Sequence, residues 1–369
     1  VELKKVINNK LVKNRVRYSN TLIIDEISML NANRLDLVDD ICKAIRQDLR
    51  SFGGLQIILC GDFFQLPPIT QRGGDNNHFI TESKIWKKMD IKICYLEEQF
   101  RQNDKKFIDV LNCIRSDNVT TETSNILNER LNKPINSDFR PTKLNTHNDD
   151  VDAYNLLELN KLPGDEMSYE MQSSGIPKLV ESLKKSCLAY QSLTLKEGAI
   201  VMFIKNNFDK KYVNGTLGKV IGFDEDSKYP LIETISGDVI IAYPESWKME
   251  ENNETPTSIN QVPLRLAWAI TIHKSQGMSL DCAEIDLSKT FEFGMGYVAL
   301  SRVRSLEGIK LVGINELALK VSKEATALDK VLKNKAISDL EEYKNMNKSQ
   351  VKKAQKIFIK ECEKENTLY

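Results

Sequence analysis

The stretch "SNTLIIDEISML", Ser19 to Leu30, decides how the chain is read. Thr21 to Ile24 and Ile27 are apolar or β-branched, and between them stand two adjacent carboxylates, Asp25 and Glu26. A short apolar run of this kind predicts a buried strand. Two acids at its carboxyl end fit two uses. Magnesium prefers oxygen ligands and keeps several waters, so Asp25 can hold a hydrated ion while Glu26 polarises an attacking water. Alternatively, the pair opens a helix whose macrodipole favours acids there. The stretch alone leaves both open.

Working outward, "NRLDLVDDICKAIRQDL" has apolar residues at Leu35, Val38, Ile41, Ala44 and Ile45, a helical spacing. Gly53-Gly54 is expected to end that segment, and "LQIILCGD" follows as a second strand. Strand, helix, strand predicts a βαβ unit with both strands parallel. Asp25 and Asp62 then share the carboxyl edge, where open α/β sheets bind ligands. In "CGDFFQLPPI", Gln65 is placed to position a γ-phosphate or its attacking water. Asp62 equally suits a turn cap, and Phe64 suits the core.

Further along, "IKICYL" (91–96) is expected as a third strand, and 97–115 as a loop entering an amphipathic helix. "RPTKLNTHNDDVDAYNLLELNKL" predicts strand, turn, helix. After Pro163-Gly164 come short strands separated by Asn-Gly and Gly-Asp turns, the pattern of a small antiparallel barrel inserted in an α/β protein. Helix–strand alternation returns near Val262. From Val321 the Lys- and Glu-rich chain is expected to form a solvated amphipathic helix packed on the body.

The chain has 369 residues, enough for two or three domains. Its 52 basic and 52 acidic side chains cancel, so any nucleic-acid contact must come from local charge placement. Seven scattered cysteines without a CxxC pair, and only three histidines, argue against zinc. The odd cysteine count predicts reduced thiols and a cytoplasmic setting, nuclear or mitochondrial in a eukaryotic host. No apolar run is long enough for a membrane helix, and no signal peptide is visible.

Here the motifs become specific. "IIDEISML" followed by "FGGLQIILCGDFFQLPPI" resembles motifs II and III of the Pif-type (petite integration frequency) superfamily-one DNA helicases. The intervening segment is similar to that family's signature. "LEEQFRQNDKKF", "AWAITIHKSQGMSLD" and "GYVALSRVRSLEGI" resemble motifs IV, V and VI, and "YVNGTLGKV" resembles the family's inserted Src-homology-three-like barrel. The resemblance runs from the first strand to Ile314. It implies an α/β fold of two RecA-like domains with ATP between them. The corresponding parts are 1–95 for the first domain, 96–163 and 263–320 for the second, 164–262 for the barrel and 321–369 for a charged helical segment.

It also implies roles. Asp25 and Glu26 become a Walker B pair, Asp25 holding Mg2+. Gln65, Arg101 and Arg302 join them at ATP, the arginines as fingers, with Gln276 and Gly277 near the nucleotide. His273, Lys274 and Ser275, in a stretch expected at a strand-to-helix transition, face DNA phosphates. Thr146, His147 and Asn148 match a Thr-x-Asn turn that also faces DNA; a cap-and-turn role suits Asn148 equally. The implied activity is ATP-dependent, five-prime to three-prime movement on single-stranded and forked DNA by a monomer, in replication, repair, recombination or telomere maintenance. A RecD-like or relaxase-linked helicase shares motifs II, III, V and VI, but 33–54 favours the Pif type. A non-catalytic DNA-binding remnant is the other alternative.

One departure stands out. No G-x-x-x-x-G-K-[S/T] occurs in the chain, and "GTLGK" has neither the spacing nor the following hydroxyl. The expectation is therefore a chain truncated before motif II. It would lack the phosphate cradle and its magnesium-binding hydroxyl, and be inactive alone.

Overall fold

The computed structural model describes residues 6–7, 9–68, 79–135, 140–146, 149–187, 189–207, 209, 211–249 and 257–363. The chain forms two compact units, one from 1–98 with 321–369 and the other from 99–320.

In the first unit, β1 (Thr21–Ile24) and β2 (Gln56–Leu59) pair in parallel, Ile24 opposite Leu59. The connecting helix, Ala32–Arg46, starts at an Asn31 cap whose side chain accepts from the Arg34 N–H. It stops at Gln47 in the left-handed conformation, before Gly53-Gly54, which instead form a tight turn with Phe52. Its inner face is Leu35, Asp39, Cys42 and Ile45, whereas Ala44 is exposed. The stripe thus includes a buried acid that apolar counting misses. Asp39 earns its place by accepting the Phe52 N–H at 2.6 Å and pairing with Lys43 at 2.6 Å. Around this face pack Ile27, Phe52, Leu55, Ile80 and Ile85. Arg46 reaches back to the carbonyls of Val16, Arg17 and Ser19, capping the preceding helix, Lys10–Tyr18.

The expected third strand at 91–96 does not form; the segment is extended but joins no sheet. Its polar groups are met by side chains of the helix Lys323–Asn345 instead. Asp339 accepts the Ile93 N–H at 3.0 Å and pairs with Lys92 at 3.1 Å. The Tyr95 hydroxyl donates to Asp329 at 2.9 Å, and Lys335 pairs with Asp90 at 3.0 Å. The Lys- and Glu-rich tail is thereby held to its unit through charged side chains.

In the second unit, four parallel strands run in the order β14-β3-β15-β16: Ala269–Thr271, Thr142–Asn145, Ala283–Leu287 and Ile309–Ile314. The helix Asp149–Lys161 is fixed to edge strand β14 by Asn155, which donates to the Ala269 carbonyl and accepts its N–H, each at 2.9 Å. Between β3 and β14 all strand pairing among the described residues is antiparallel. One five-stranded sheet, β10-β9-β8-β7-β13, holds Ile200–Phe203 (β7), Leu217–Phe223 (β8), Pro230–Thr234 (β9), Val239–Ile241 (β10) and Leu264–Leu266 (β13). Smaller sheets join Met167–Glu170 to Ser192–Leu195, and Glu245–Met249 to Thr257–Gln261 and Gln172–Ser174. Both forecast hairpin turns are present; Gly215 and Gly237 adopt φ of 97° and 85°, which a side chain would strain.

Candidate functional site

The acid pair sits where β1 ends. Asp25 is exposed and accepts the Glu26 N–H through Oδ1 at 2.8 Å. Glu26 takes the left-handed conformation, φ 50° and ψ 47°, which turns the chain away from the strand. Such a φ is uncommon outside glycine and often marks a functional position. Just beyond, the Ile27 N–H donates to the Cys60 carbonyl at 3.0 Å, extending the β1–β2 pairing past both strand ends. Gly61 permits this approach, because a Cβ there would lie 2.8 Å from the Ile27 nitrogen. Asp62 then caps its own turn, accepting the Phe64 N–H at 3.1 Å, while its carbonyl accepts from Gln65 N–H at 3.0 Å. Phe64 is core, as its default role required. Gln65 is half-buried where this turn ends, ahead of Pro67-Pro68.

A hydrated magnesium ion fits this edge in a limited way. Asp25 offers one outward carboxylate with an oxygen not used by Glu26. Among the described residues no group of three or more acids, cysteines or histidines can enclose a metal. Any ion held there would take its other ligands from water or a bound molecule, as magnesium commonly does.

In the second unit the two expected finger arginines meet at one residue. Arg101 donates to the Ser301 carbonyl at 3.3 Å and to the Ser279 hydroxyl at 3.0 Å. Arg302 donates to the Ser301 hydroxyl at 2.9 Å and to the Val298 carbonyl at 3.0 Å. Arg302 is only 2% exposed and is folded back on its own helix, Met295–Ser301. Gln102, which the sequence reading passed over, clamps this junction: its side-chain amide donates to the carbonyls of Ser301 at 2.8 Å and Val303 at 3.1 Å. No periodicity marks such a residue, because its acceptors lie about 200 residues further along the chain.

The stretch 273–277 is not a helix start. It forms a compact turn after β14, closed by Ser275 N–H to Thr271 O at 3.0 Å and ended by Gly277 at φ 77°. Ser275 is buried, and its hydroxyl donates to the Ile272 carbonyl at 2.7 Å. That bond engages the Ser275 hydroxyl within the turn. Gln276 is half-buried in the turn. His273 is half-buried, near-parallel to the Phe291 ring at 6.5 Å and 3.9 Å from Glu292. Burial pushes the imidazole pKa down and the Glu292 carboxyl up. Both shifts favour neutral forms, so desolvation outweighs attraction at this distance. Burial, with the nearby Arg265 charge, also lowers the Lys274 pKa. Thr146 is buried at the end of β3. His147 and Asn148 lie outside the described residues.

Two α/β units carrying parallel strands, an acid pair at a strand edge in one and juxtaposed arginines in the other, define a RecA-like α/β protein. Comparison with known proteins narrows this. A family model described as PIF1-like helicase matches residues 2–125, and one for the 2B domain of DNA helicase Pif1 matches 178–223. The chain is 39% identical to the ATP-dependent DNA helicase Pif1 of Psychrobacter, covering 95% of this chain and 62% of that protein. It is 42% identical to the Xenopus laevis ATP-dependent DNA helicase PIF1, covering 79% and 46%. The Pif1 helicase crystal structure from Candida albicans aligns with a TM-score of 0.76 at 36% identity, covering 89% of this chain and 81% of that one. A Bacteroides Pif1 helicase in complex with ADP-AlF3 and single-stranded DNA aligns at 0.65 and 31%, covering 88% and 78%. The chain belongs to the PIF1-like helicase family. It spans between about half and two thirds of the length of these curated relatives.

Proposed function

We propose that this chain carries the motor core of an ATP-dependent DNA helicase that moves five-prime to three-prime along single-stranded DNA and opens forks. The observation that carries the proposal is the meeting of Arg101 and Arg302 at Ser301. Phosphoryl transfer spreads negative charge over equatorial oxygens, and a well-aimed arginine contributes on the order of 10³–10⁵ in rate. In this scheme Asp25 holds hydrated magnesium, Glu26 polarises water, and Gln65 positions it. Gln276 and Gly277 lie nearer the nucleotide; His273, Lys274 and Ser275, with Thr146, His147 and Asn148, face DNA. The relative solved with ADP-AlF3 and single-stranded DNA supports carrying both ligands over.

We assign 1–95 to a partial first RecA-like domain, 96–163 and 263–320 to the second, 164–262 to a Src-homology-three-like barrel, and 321–369 to a helical segment. The protein acts as a monomer. The phosphate cradle is supplied by a segment other than these residues, because no such loop is among them. Support comes from β1 and β2, where Ile23 is 63% and Ile58 38% exposed. Parallel strands are normally covered on both faces.

The test is ATP turnover with and without single-stranded DNA. This chain alone is expected to show background hydrolysis. Joined to a family segment bearing the cradle, it is expected to hydrolyse ATP with DNA stimulation, and Glu26→Gln is expected to lower that rate by about 100-fold or more. Helicase-like turnover by the chain alone, abolished by Glu26→Gln, would refute the divided site.

A further inference from the structure

Beside the motif V turn, the second unit contains a polar cluster that none of the motifs accounts for. Arg265, on β13, lies with its guanidinium carbon 4.1 Å from the centre of the Tyr190 ring. It donates to the Tyr190 hydroxyl at 2.8 Å, and that hydroxyl donates to Asp152 Oδ1 at 2.8 Å. Arg265 also approaches the same carboxylate oxygen at 3.5 Å. Lys274 lines the same cleft, with Met202 and Met278 below. Two cations thus line the cleft, and Asp152 reaches one of them. Asp152 pairs with Arg265, whereas Lys274 forms no ion pair among the described residues. The side chain of Arg265 is only 14% exposed, while that of Asp152 is 52% exposed and lies outermost. Two neighbouring cations, one of them held by an exposed carboxylate, make the elements of an anion seat with an internal occupant.

We infer that Arg265 and Lys274 together seat one backbone phosphate of single-stranded nucleic acid, and that Asp152 holds Arg265 in the phosphate's place until the strand arrives. The inference rests on the proposed DNA-facing role of 273–275 and adds three residues to it. The exchange breaks no covalent bond: the Asp152 carboxylate swings to solvent, and the phosphate accepts from Arg265 and Lys274. Tyr190 stays stacked on the guanidinium and keeps it aimed. Arg265 is the residue of choice for such a seat, since its planar fork can engage two phosphate oxygens at once.

The experiment measures binding of a fluorescein-labelled oligothymidylate to this chain by anisotropy over a series of KCl concentrations. Arg265→Gln is expected to weaken binding roughly tenfold and to reduce the log–log salt slope by about 0.7, the value for one phosphate contact on a single strand. Arg265→Lys should restore most of the slope but not all of the affinity. Asp152→Asn should tighten binding roughly threefold, because the internal competitor is gone. It alters an exposed side chain, so it tests the exchange even if Arg265→Gln folds poorly. An unchanged slope and affinity in Arg265→Gln, with both reduced in Lys274→Gln, overturns the inference and leaves the DNA-facing turn intact. Unaltered affinity in Asp152→Asn overturns the exchange. Absence of binding by the unaltered chain overturns the DNA-facing role and the inference with it.

Discussion

Replacing Gln102 by Leu tests how the two arginines are held. Gln102 is 6% exposed, and its amide supplies N–H donors to the carbonyls of Ser301 and Val303. Leucine has similar bulk, so a cavity is not the main consequence. The Val303 carbonyl loses its Gln102 donor inside the protein, a loss that costs about 1–3 kcal/mol. The Ser301 carbonyl keeps Arg101 at 3.3 Å, so its loss is smaller, about 1 kcal/mol. The expected total is about 2–4 kcal/mol. For a unit of this size the thermal midpoint should fall by roughly 10 °C. Urea unfolding followed by circular dichroism measures the first quantity, and calorimetry the second. In a version carrying the phosphate cradle, ATP turnover should fall while oligothymidylate affinity and salt slope stay unchanged, because none of these groups belongs to the 273–275 turn. A loss below about 0.5 kcal/mol would refute the clamp, since it would mean both carbonyls find water or other donors at no expense.

Two further expectations follow from individual groups. Burial alone would raise the Asp36 carboxyl pKa, but hydrogen bonds from the Ser83 hydroxyl and the N–H groups of Ile85 and Lys84 outweigh it and hold the value below the ordinary range. Its folded pKa is thus below its unfolded one, so its contribution is present above about pH 4. That contribution is lost as pH falls through the folded value. Asp36→Ala should cost about 1–2 kcal/mol at neutral pH and flatten the acid limb of a stability–pH curve; an unflattened limb would count against the assignment. For His273, burial lowers the pKa, so folding favours the neutral ring and stability falls as pH drops below the unfolded value of about 6.5. Phosphate contact favours the imidazolium, so DNA binding should take up a proton and tighten as pH falls from about 8 to about 6. His273→Asn should remove this dependence, and an identical pH profile in that variant would assign it elsewhere.

Much of the architecture could be read from the chain because it is local. The βαβ unit follows from two short apolar runs around a helical stripe, and the antiparallel insert follows from turns whose glycines need positive φ. What could not be read depends on partners distant in sequence. The run 91–96 has a strand's composition, yet its backbone is met at Ile93 by Asp339, 246 residues away. The stripe of Ala32–Arg46 contains Asp39 because a loop N–H at Phe52 needs an acceptor there. The site was legible in the same uneven way. Asp25, Glu26 and Arg302 stand in motifs, whereas Gln102 and Arg265 are visible only once their acceptors are in place. Ser275 shows the converse, a motif residue whose hydroxyl is already engaged by the turn that presents its neighbours.

The burial of Arg302 bears directly on how a finger residue can report nucleotide state. In this structure its guanidinium donates to the Val298 carbonyl and the Ser301 hydroxyl, both uncharged acceptors. Leaving them for water would gain little, because one hydrogen bond replaces another. Leaving them for a phosphate oxygen replaces bonds with one charged partner by bonds in which donor and acceptor carry opposite charges, so Coulomb attraction is added. An arginine held this way therefore moves for an anion and not for solvent. Ser301 is acceptor to both arginines, one through its carbonyl and one through its hydroxyl, so release of either loosens the site of the other. On the proposed roles, Ser301→Ala should weaken the coupling between Arg101 and Arg302: in a double-mutant cycle of turnover, the interaction energy between the two arginines should shrink when Ser301 is absent. An interaction energy unchanged by that substitution would mean that the arginines respond to phosphate independently, and that their meeting at Ser301 is packing alone.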